Sequence, residues 1–99
     1  EMDLLSHTVI RDGGEVKLAP LEFQILQILM EHPNRVLSRE ALIDKIWGDE
    51  AVGSRTVDVH ITRLRKALLR QSLTGEDIIK TVRLAGYTLR TNRRIKPIQ

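Results

Sequence analysis

The chain contains no cysteine among its 99 residues. Disulfide scaffolds, thiolate metal sites and cysteine nucleophiles are therefore excluded, and the composition fits the reducing cytosol. No apolar run approaches the roughly 18 residues that a membrane span needs, and no signal-peptide pattern opens the chain. We therefore expect a cytoplasmic protein without a membrane partner.

Enzymatic motifs are also missing from the sequence. It has no phosphate-binding loop, no dinucleotide fingerprint and no paired carboxylates in a readable context. The histidines, His7, His32 and His60, are scattered and have no partner at metal-ligand spacing, so neither a metal nor another cofactor is expected. Ser38 and Ser54 are better explained as helix caps than as nucleophiles, because no histidine–acid constellation accompanies them. These absences argue against an enzyme.

Charge is distributed unevenly between the two halves of the chain. Residues 1–50 hold five Lys or Arg and ten Asp or Glu, a net charge of −5; residues 51–99 hold eleven and three, a net charge of +8. The two values sum to the overall +3. Such asymmetry indicates a basic face directed at a polyanion, most often nucleic acid. A basic surface that is merely solvated is the alternative.

The apolar pattern predicts one small domain, because 99 residues can bury a single modest core. The Asp-Gly pair at Asp12 favours a tight hairpin and hence a small N-terminal antiparallel sheet. A helix follows from Pro20 to His32, apolar on most sides and therefore at the centre of the core. A second helix begins with Ser38 as its cap and ends at Gly48.

The C-terminal stretch "IIKTVRLAGYTLR" reads as two strands joined by a turn. We expect a three-residue turn, "LAG", with Gly86 in the left-handed conformation. The basic end, residues 92–99, is expected to fray, so that the ordered core covers about residues 3–91. Sheet, three helices and hairpin, in that order, outline an α+β winged helix-turn-helix with the hairpin as the wing.

The segment from Ser54 to Arg70 combines apolar and basic residues, and helical periodicity separates them onto two faces. We expect Ser54 as the N-cap and Asp58 in the first turn, where the helix dipole favours an anion. The predicted buried face consists of Val57, Ile61, Leu64 and Leu68. The opposite face, called the basic stripe below, consists of Arg55, Val59, Arg63, Lys66 and Arg70.

The basic stripe has the charge and length that the major groove of duplex DNA accepts. Arg63 can form a bidentate contact with a guanine edge, whereas Lys66 and Arg70 are placed to reach phosphates. Val59 is apolar among cations, which solvent does not explain but a thymine methyl group would. A stripe that is only solvated is again the alternative. A second positive element lies at the position of the wing and consists of Lys80, Arg83 and Arg90.

Three stretches, "LEFQILQILMEHPNRVLSREALIDKIWG", "RTVDVHITRLRKAL" and "IKTVRLAGY", together resemble the OmpR/PhoB-type effector domain of bacterial two-component response regulators. The resemblance runs in order from about Val16 to Leu89. It implies a four-stranded antiparallel sheet, three helices and a C-terminal wing, with the helix from Arg55 to Lys66 as recognition helix. It also implies sequence-specific binding of double-stranded DNA in the control of transcription.

Residue by residue, the resemblance implies a DNA-facing set on the recognition helix, consisting of Arg55, Thr56, Val59, His60, Arg63 and Lys66. Thr62 and Arg70, on the same helix, are also assigned to DNA binding. Base contacts are implied for Val59 and Arg63. In the wing, Thr81 is implied to contact a phosphate and Arg83 to enter the minor groove. Tyr87, which belongs to the same wing motif, is also assigned to DNA binding.

Further contacts are implied outside these two elements. The ring nitrogen of Trp47 is implied to reach a phosphate, although the residue pattern alone places Trp47 in the core. The connector implied to touch RNA polymerase consists of Asp49, Glu50, Ala51, Val52 and Gly53. The family places a phosphoacceptor receiver domain, served by a sensor kinase, before this domain, so we expect the chain to be the separated effector half. We expect it to be monomeric alone and to dimerise on tandem half-sites in DNA.

The sequence departs from the family pattern at four positions. Ala19 replaces a common threonine cap, and Thr62 stands where arginine is frequent, which predicts one weaker phosphate contact. Leu84 and Ala85 replace the usual glycine-containing wing tip, which affects how deeply the wing inserts.

Two other functions fit the same residue pattern of this chain. One is a protein-interaction module whose basic helix docks an acidic partner, and the other is the cytoplasmic DNA-binding domain of a membrane-anchored activator.

Overall fold

The computed structural model describes residues 7–11, 13–48, 52–71, 75, 77–90 and 95–97. These residues form three helices and two small antiparallel sheets. The helices are α1 (Pro20–Glu31), α2 (Arg39–Trp47) and α3 (Ser54–Arg70). The strands are β1 (Thr8–Arg11), β2 (Gly14–Lys17), β3 (Ile79–Val82), β4 (Gly86–Leu89) and β5 (Ile95–Pro97). The predicted α+β arrangement of sheet, three helices and hairpin is confirmed.

The N-terminal sheet has the strand order β2-β1-β5 within the described residues. Arg11 pairs with Gly14 across the β1–β2 turn, and Gly13 adopts a φ of 82°, as the Asp-Gly pair predicts. The expectation of a frayed C-terminal end is wrong for Ile95–Pro97, which pairs antiparallel with β1. Three residues that include a proline carry no strand signal of their own; the free edge of β1 supplies their hydrogen-bonding partners. The remainder of 91–99 lies outside the described residues.

Helix α1 is the centre of the core, as its apolar pattern predicts. Its most buried apolar side chains are Phe23, Ile25, Leu26 and Leu29, and the helix contacts α2, α3 and β4. Pro20 occupies the first turn, where a missing N–H does no harm. Ala19 provides no side-chain cap, consistent with its replacing a threonine.

The ends of α2 and α3 are set by different residues. The Ser38 hydroxyl accepts a hydrogen bond from the Ala41 N–H at 3.0 Å, which confirms the predicted cap of α2. The cap predicted for α3 is wrong by one residue, because Gly53 holds the cap position and Ser54 is the first helical residue. Asp58 consequently lies beyond the first turn and does not act on the helix dipole as expected.

The two predicted faces of α3 are confirmed. Its inward side chains are at most 1% exposed, and they are Val57, Ile61, Leu64 and Leu68. All members of the basic stripe are exposed, Val59 to 48%. This division is what a helix of 3.6 residues per turn produces when one side packs on α1 and α2 and the other faces solvent.

The wing consists of β3 and β4, joined by the three-residue loop 83–85. The predicted turn 84–86 is shifted by one residue, and the loop residue with the left-handed φ, 65°, is Leu84. Gly86 also has a positive φ, 143°, which residues with a side chain rarely adopt. Close packing is a second reason for glycine at this position. A Cβ atom there would lie 2.0 Å from the Leu37 carbonyl oxygen, which no side chain could tolerate.

The connector between α1 and α2 pairs with the wing. The Leu37 N–H donates to the Tyr87 carbonyl at 2.8 Å, and the Tyr87 N–H donates back at 2.9 Å. The Asn34 N–H donates to the Leu89 carbonyl at 2.8 Å. Backbone hydrogen bonds therefore hold the base of the wing against the helical core.

Four side chains from α2, α3 and β4, called the Tyr87 cluster below, join these elements: Arg39, Asp58, Arg65 and Tyr87. The Asp58 carboxylate accepts from the Tyr87 hydroxyl at 2.5 Å and from Arg39 Nε at 2.7 Å. Arg65 Nε and Nη2 donate to the Ile79 carbonyl of β3 at 3.1 and 3.0 Å. The guanidinium carbons of Arg39 and Arg65 each lie 5.6 Å from the Tyr87 ring centroid.

The Tyr87 cluster also shifts the ionisation of its members. Burial by itself would raise the pKa of Asp58, but the hydrogen bonds from Tyr87 and Arg39 outweigh it, so the pKa lies below its ordinary value. Burial, reinforced by the hydrogen bond to Asp58, raises the pKa of the Tyr87 hydroxyl. The pair is therefore held as carboxylate and neutral phenol.

Replacing a residue of the buried face of α3 should destabilise the fold. Ile61→Ala removes a fully buried side chain and is expected to lower the free energy of unfolding by about 2–5 kcal/mol in a urea titration. Val59→Ala, two residues away on the exposed face, is the matched control and should stay within about 0.5 kcal/mol of the parent chain. Equal losses for the two variants would contradict the assignment of faces.

Removing the Asp58 carboxylate should destabilise the fold in a pH-dependent way. Asp58→Ala leaves the buried Tyr87 hydroxyl without its acceptor, and we expect a loss of about 1–3 kcal/mol near neutral pH. A carboxyl with a lowered folded pKa contributes stability above its unfolded pKa, about 3.9, and loses that contribution as the pH falls through the folded value. The deficit measured by urea unfolding should therefore shrink in acid. Asp44→Ala, at an exposed position of α2, is the control, and an equal, pH-independent deficit in both variants would refute the role of Asp58.

Candidate nucleic-acid interface

The exposed side of α3 presents a continuous positive surface. The helix has 17 residues and is therefore about 25 Å long. In α3, all of which the structure describes, Asp58 is the only acidic residue. Its charge is engaged by Arg39 at 2.7 Å. The basic stripe thus contains no carboxylate along its length, which is the electrostatic condition for approach to a polyanion.

Val59 lies in the middle of the basic stripe and is 48% exposed. Arg55 and Arg63 flank it at one helical turn on either side, and both are exposed. About half of the valine surface is therefore left in solvent. It is available for an apolar contact with a ligand that also satisfies the neighbouring cations.

His60 and Thr56 lie beside the basic stripe and are less exposed than its members. The His60 side chain is 14% exposed, and its Nδ1 lies 2.8 Å from Glu22 Oε2 in α1. The Trp47 ring lies 6.4 Å from the His60 ring, centroid to centroid. Thr56 is half-buried. Both residues can reach a ligand only at the margin of α3.

Thr62, which replaces a frequent arginine, uses its hydroxyl within the helix. The hydroxyl donates to the Asp58 carbonyl at 2.9 Å, four residues earlier. The side chain is exposed but too short to extend beyond the helix as an arginine would. The weaker phosphate contact expected at this position stays a prediction.

The wing presents two of its three predicted residues to solvent. Thr81 and Arg83 are exposed. Tyr87 is only 4% exposed, and its hydroxyl donates to Asp58. The structure thus places Tyr87 in the core, where its ring and hydroxyl join β4 to α3.

Arg65 is the residue of this region that the sequence reasoning missed. Its Nη2 donates to Thr81 Oγ1 at 2.6 Å as well as to the Ile79 carbonyl, and its Nε lies 3.5 Å from Asp77 Oδ2. Helical periodicity places Arg65 between the buried face and the basic stripe, and no local signal reveals partners 14 and 16 residues away. It fixes the position of the wing relative to α3.

The remaining predicted contacts lie around the end of α2. Trp47 is half-buried against the core at the last position of α2. Of the predicted polymerase-contact loop, Val52 and Gly53 precede α3, whereas Asp49, Glu50 and Ala51 lie outside the described residues. Within the described ranges, no three His, Asp or Glu side chains come together as a potential metal site. No helix in that part of the chain is long and apolar enough to cross a membrane.

Comparison with known proteins places this arrangement in a family. A family model described as "Transcriptional regulatory protein, C terminal" matches residues 13–89. The phosphate regulon transcriptional regulatory protein PhoB of Rhizobium meliloti (strain 1021) is 51% identical over 90 residues, which cover 90% of this chain and 39% of the relative. The chain thus spans about two fifths of the length of the curated relatives it matches.

Two solved structures with the same fold contain DNA. The DNA-binding domain of Klebsiella pneumoniae RstA, in complex with the RstA box, has a TM-score of 0.74 at 36% identity and covers 90% of this chain and 88% of its own. The DNA-binding domain of response regulator AdeR, in complex with an intercistronic region, has a TM-score of 0.76 at 29% identity, covering 93% and 94%. The chain therefore belongs to the family of C-terminal, winged-helix effector domains of OmpR/PhoB-type transcriptional regulators.

Proposed function

We propose that this chain controls transcription by binding duplex DNA sequence-specifically, with α3 in the major groove and the wing in the adjacent minor groove. The observation that carries the proposal is the exposed face of α3, on which every charged side chain is basic and an exposed valine lies at the centre. The DNA complexes of two relatives with the same fold support it. Selection of bound duplexes from a random pool tests it, because a shared motif among the selected duplexes requires sequence-specific binding.

On α3, the proposed contacts divide into base and phosphate contacts. Arg63 is an exposed member of the basic stripe, and its guanidinium can donate two hydrogen bonds to guanine O6 and N7. Val59, one turn earlier, is placed to pack on a thymine methyl. The proposed phosphate contacts flank these two residues and come from Arg55, Thr56, His60, Thr62, Lys66 and Arg70.

The wing and α2 complete the proposed interface. Arg83 precedes the wing tip and is exposed, so it can enter the minor groove, which attracts arginine where it is narrow. The Thr81 hydroxyl oxygen accepts from Arg65, which leaves its own O–H to donate to a phosphate. Trp47 is assigned a phosphate contact through its indole N–H, at the margin where its ring lies near His60. Tyr87 is proposed to support the wing from inside.

We infer that the full protein is a two-component response regulator. The match covers only 39% of the length of the PhoB relative, which leaves room for a further domain in a protein of that length. The inferred full protein is cytoplasmic, not an enzyme, and has a receiver domain addressed by a sensor kinase. It dimerises on tandem half-sites, and the loop 49–53 touches RNA polymerase.

Replacing Val59 should change sequence preference and leave the fold intact. If Val59 packs on a thymine methyl, Val59→Ala should relax the preference at one base position of the selected duplex. Affinities for duplexes carrying thymine or uracil at that position measure the effect, since uracil lacks the methyl group. The parent chain should prefer thymine, and the variant should bind both duplexes equally. Equal binding by the parent chain would contradict the contact.

Arg63 and Arg83 should differ in what they contribute to binding. Arg63→Ala is expected to cost about 1–3 kcal/mol on the cognate duplex and much less on a scrambled one, because a bidentate base contact is lost. Arg83→Ala should weaken binding to both duplexes and remove any preference for A·T-rich flanks.

The salt dependence of the DNA affinity further distinguishes the roles of Arg63 and Arg83. The effect of Arg83→Ala should shrink as salt rises, since each phosphate-level charge contributes about −0.9 to the slope of log K against log salt. Fluorescence anisotropy on cognate and scrambled duplexes at two salt concentrations gives all the required affinities. The assigned roles of Arg63 and Arg83 would be refuted if Arg83→Ala lost as much discrimination at a major-groove base as Arg63→Ala does. No effect of either change would refute DNA binding itself.

A further inference from the structure

The tip of the wing carries a leucine in an unfavourable setting. Leu84 is 97% exposed, whereas the other exposed large apolar side chains of the described residues, Val36 and Val59, are 44% and 48% exposed. Its backbone is also left-handed, with φ 65°. Leu84 therefore combines a strained backbone with an apolar side chain that contacts almost nothing in the fold.

Neither feature is explained by the stability of the hairpin. A side chain with a Cβ atom raises the free energy of a left-handed residue, and glycine removes that penalty. A leucine that is fully solvated gains nothing from the hydrophobic effect. Folding alone would favour glycine at this position, so the side chain calls for a function outside the fold.

The position of Leu84 identifies the partner. It follows Arg83, which the proposed function places in the minor groove, and Thr81 on the same hairpin is placed at a phosphate. Arg65 ties this hairpin to α3 through the Ile79 carbonyl at 3.0 Å and Thr81 Oγ1 at 2.6 Å. When α3 occupies the major groove, the wing tip is therefore held at a fixed place beside the duplex. Proteins that bind the minor groove frequently insert apolar side chains into it, leucine among them.

We propose that Leu84 is a DNA-contact residue, whose side chain packs on the deoxyribose walls of the minor groove next to Arg83. This inference rests on the proposed function and adds an apolar component to it. The sugars lie along every sequence, so the contact strengthens binding without specifying bases. Because it involves no charge, its contribution should not depend on salt, in contrast to that of Arg83.

Leu84→Gly tests the proposal because folding and binding should change in opposite directions. We expect a higher midpoint of thermal unfolding, since glycine adopts the left-handed conformation without strain. We expect about three- to tenfold weaker binding to the selected duplex, the amount that partial burial of a leucine side chain supports. The factor should be the same at two salt concentrations. Leu84→Met, which keeps an apolar side chain of similar size, should bind like the parent chain.

Two controls separate the side chain from other causes. Ala85→Gly makes the same loop more flexible without removing the leucine, and it should bind like the parent chain; a loss equal to that of Leu84→Gly would overturn the proposal. So would a loss that shrinks with salt, or binding by Leu84→Gly within twofold of the parent chain. Arg63→Ala is measured in parallel. If it weakens binding while Leu84→Gly does not, only the leucine contact fails, whereas no effect of Arg63→Ala means that the proposed function itself fails.

Discussion

The Asp58 carboxylate is the contact on which the arrangement of the site depends. It lies on α3, accepts hydrogen bonds from Arg39 of α2 and from Tyr87 of β4, and so joins three elements at one group. The same contact engages the only negative charge of α3. A single carboxylate thus orients the helix and leaves its outer face uniformly basic, because the residue that could oppose a polyanion is turned to internal donors.

A fixed relation between helix and wing follows from the surrounding contacts. Arg65 links α3 to β3, and the reciprocal backbone hydrogen bonds of Leu37 and Tyr87 hold β4 to the α1–α2 connector. Two positive elements that are already positioned lose less conformational entropy on binding than two mobile ones. They also constrain which grooves can be occupied together. The buried Tyr87, with its ring and hydroxyl both engaged, therefore helps to hold the wing in its position relative to α3.

The features that sequence could predict are those with local causes. The two faces of α3, the Ser38 cap and the Asp-Gly hairpin each follow from neighbours within a few residues, and the structure confirms them. Features that depend on a distant partner could not be predicted. β5 exists because β1 offers an edge, and the carbonyl of Leu37 leaves no room for a side chain at Gly86, in addition to the positive φ of that residue. The cap of α3 was misplaced for a local reason, because Gly53 and Ser54 are both acceptable cap residues.

In the candidate site, too, the features with local causes were predictable and those that depend on distant partners were not. The exposed residues of α3 were predictable, whereas the inward placement of Tyr87, the contact of His60 with Glu22 and the role of Arg65 arise from packing across 16 to 38 residues of chain.

Methylation interference with dimethyl sulfate on a selected duplex tests the central claim, that one rigid unit uses two grooves. The reagent modifies guanine N7 in the major groove and adenine N3 in the minor groove. The account predicts interference at guanine N7 in one segment and at adenine N3 about five base pairs away, half of a helical turn. Interference confined to one groove, or found in neither, would contradict it.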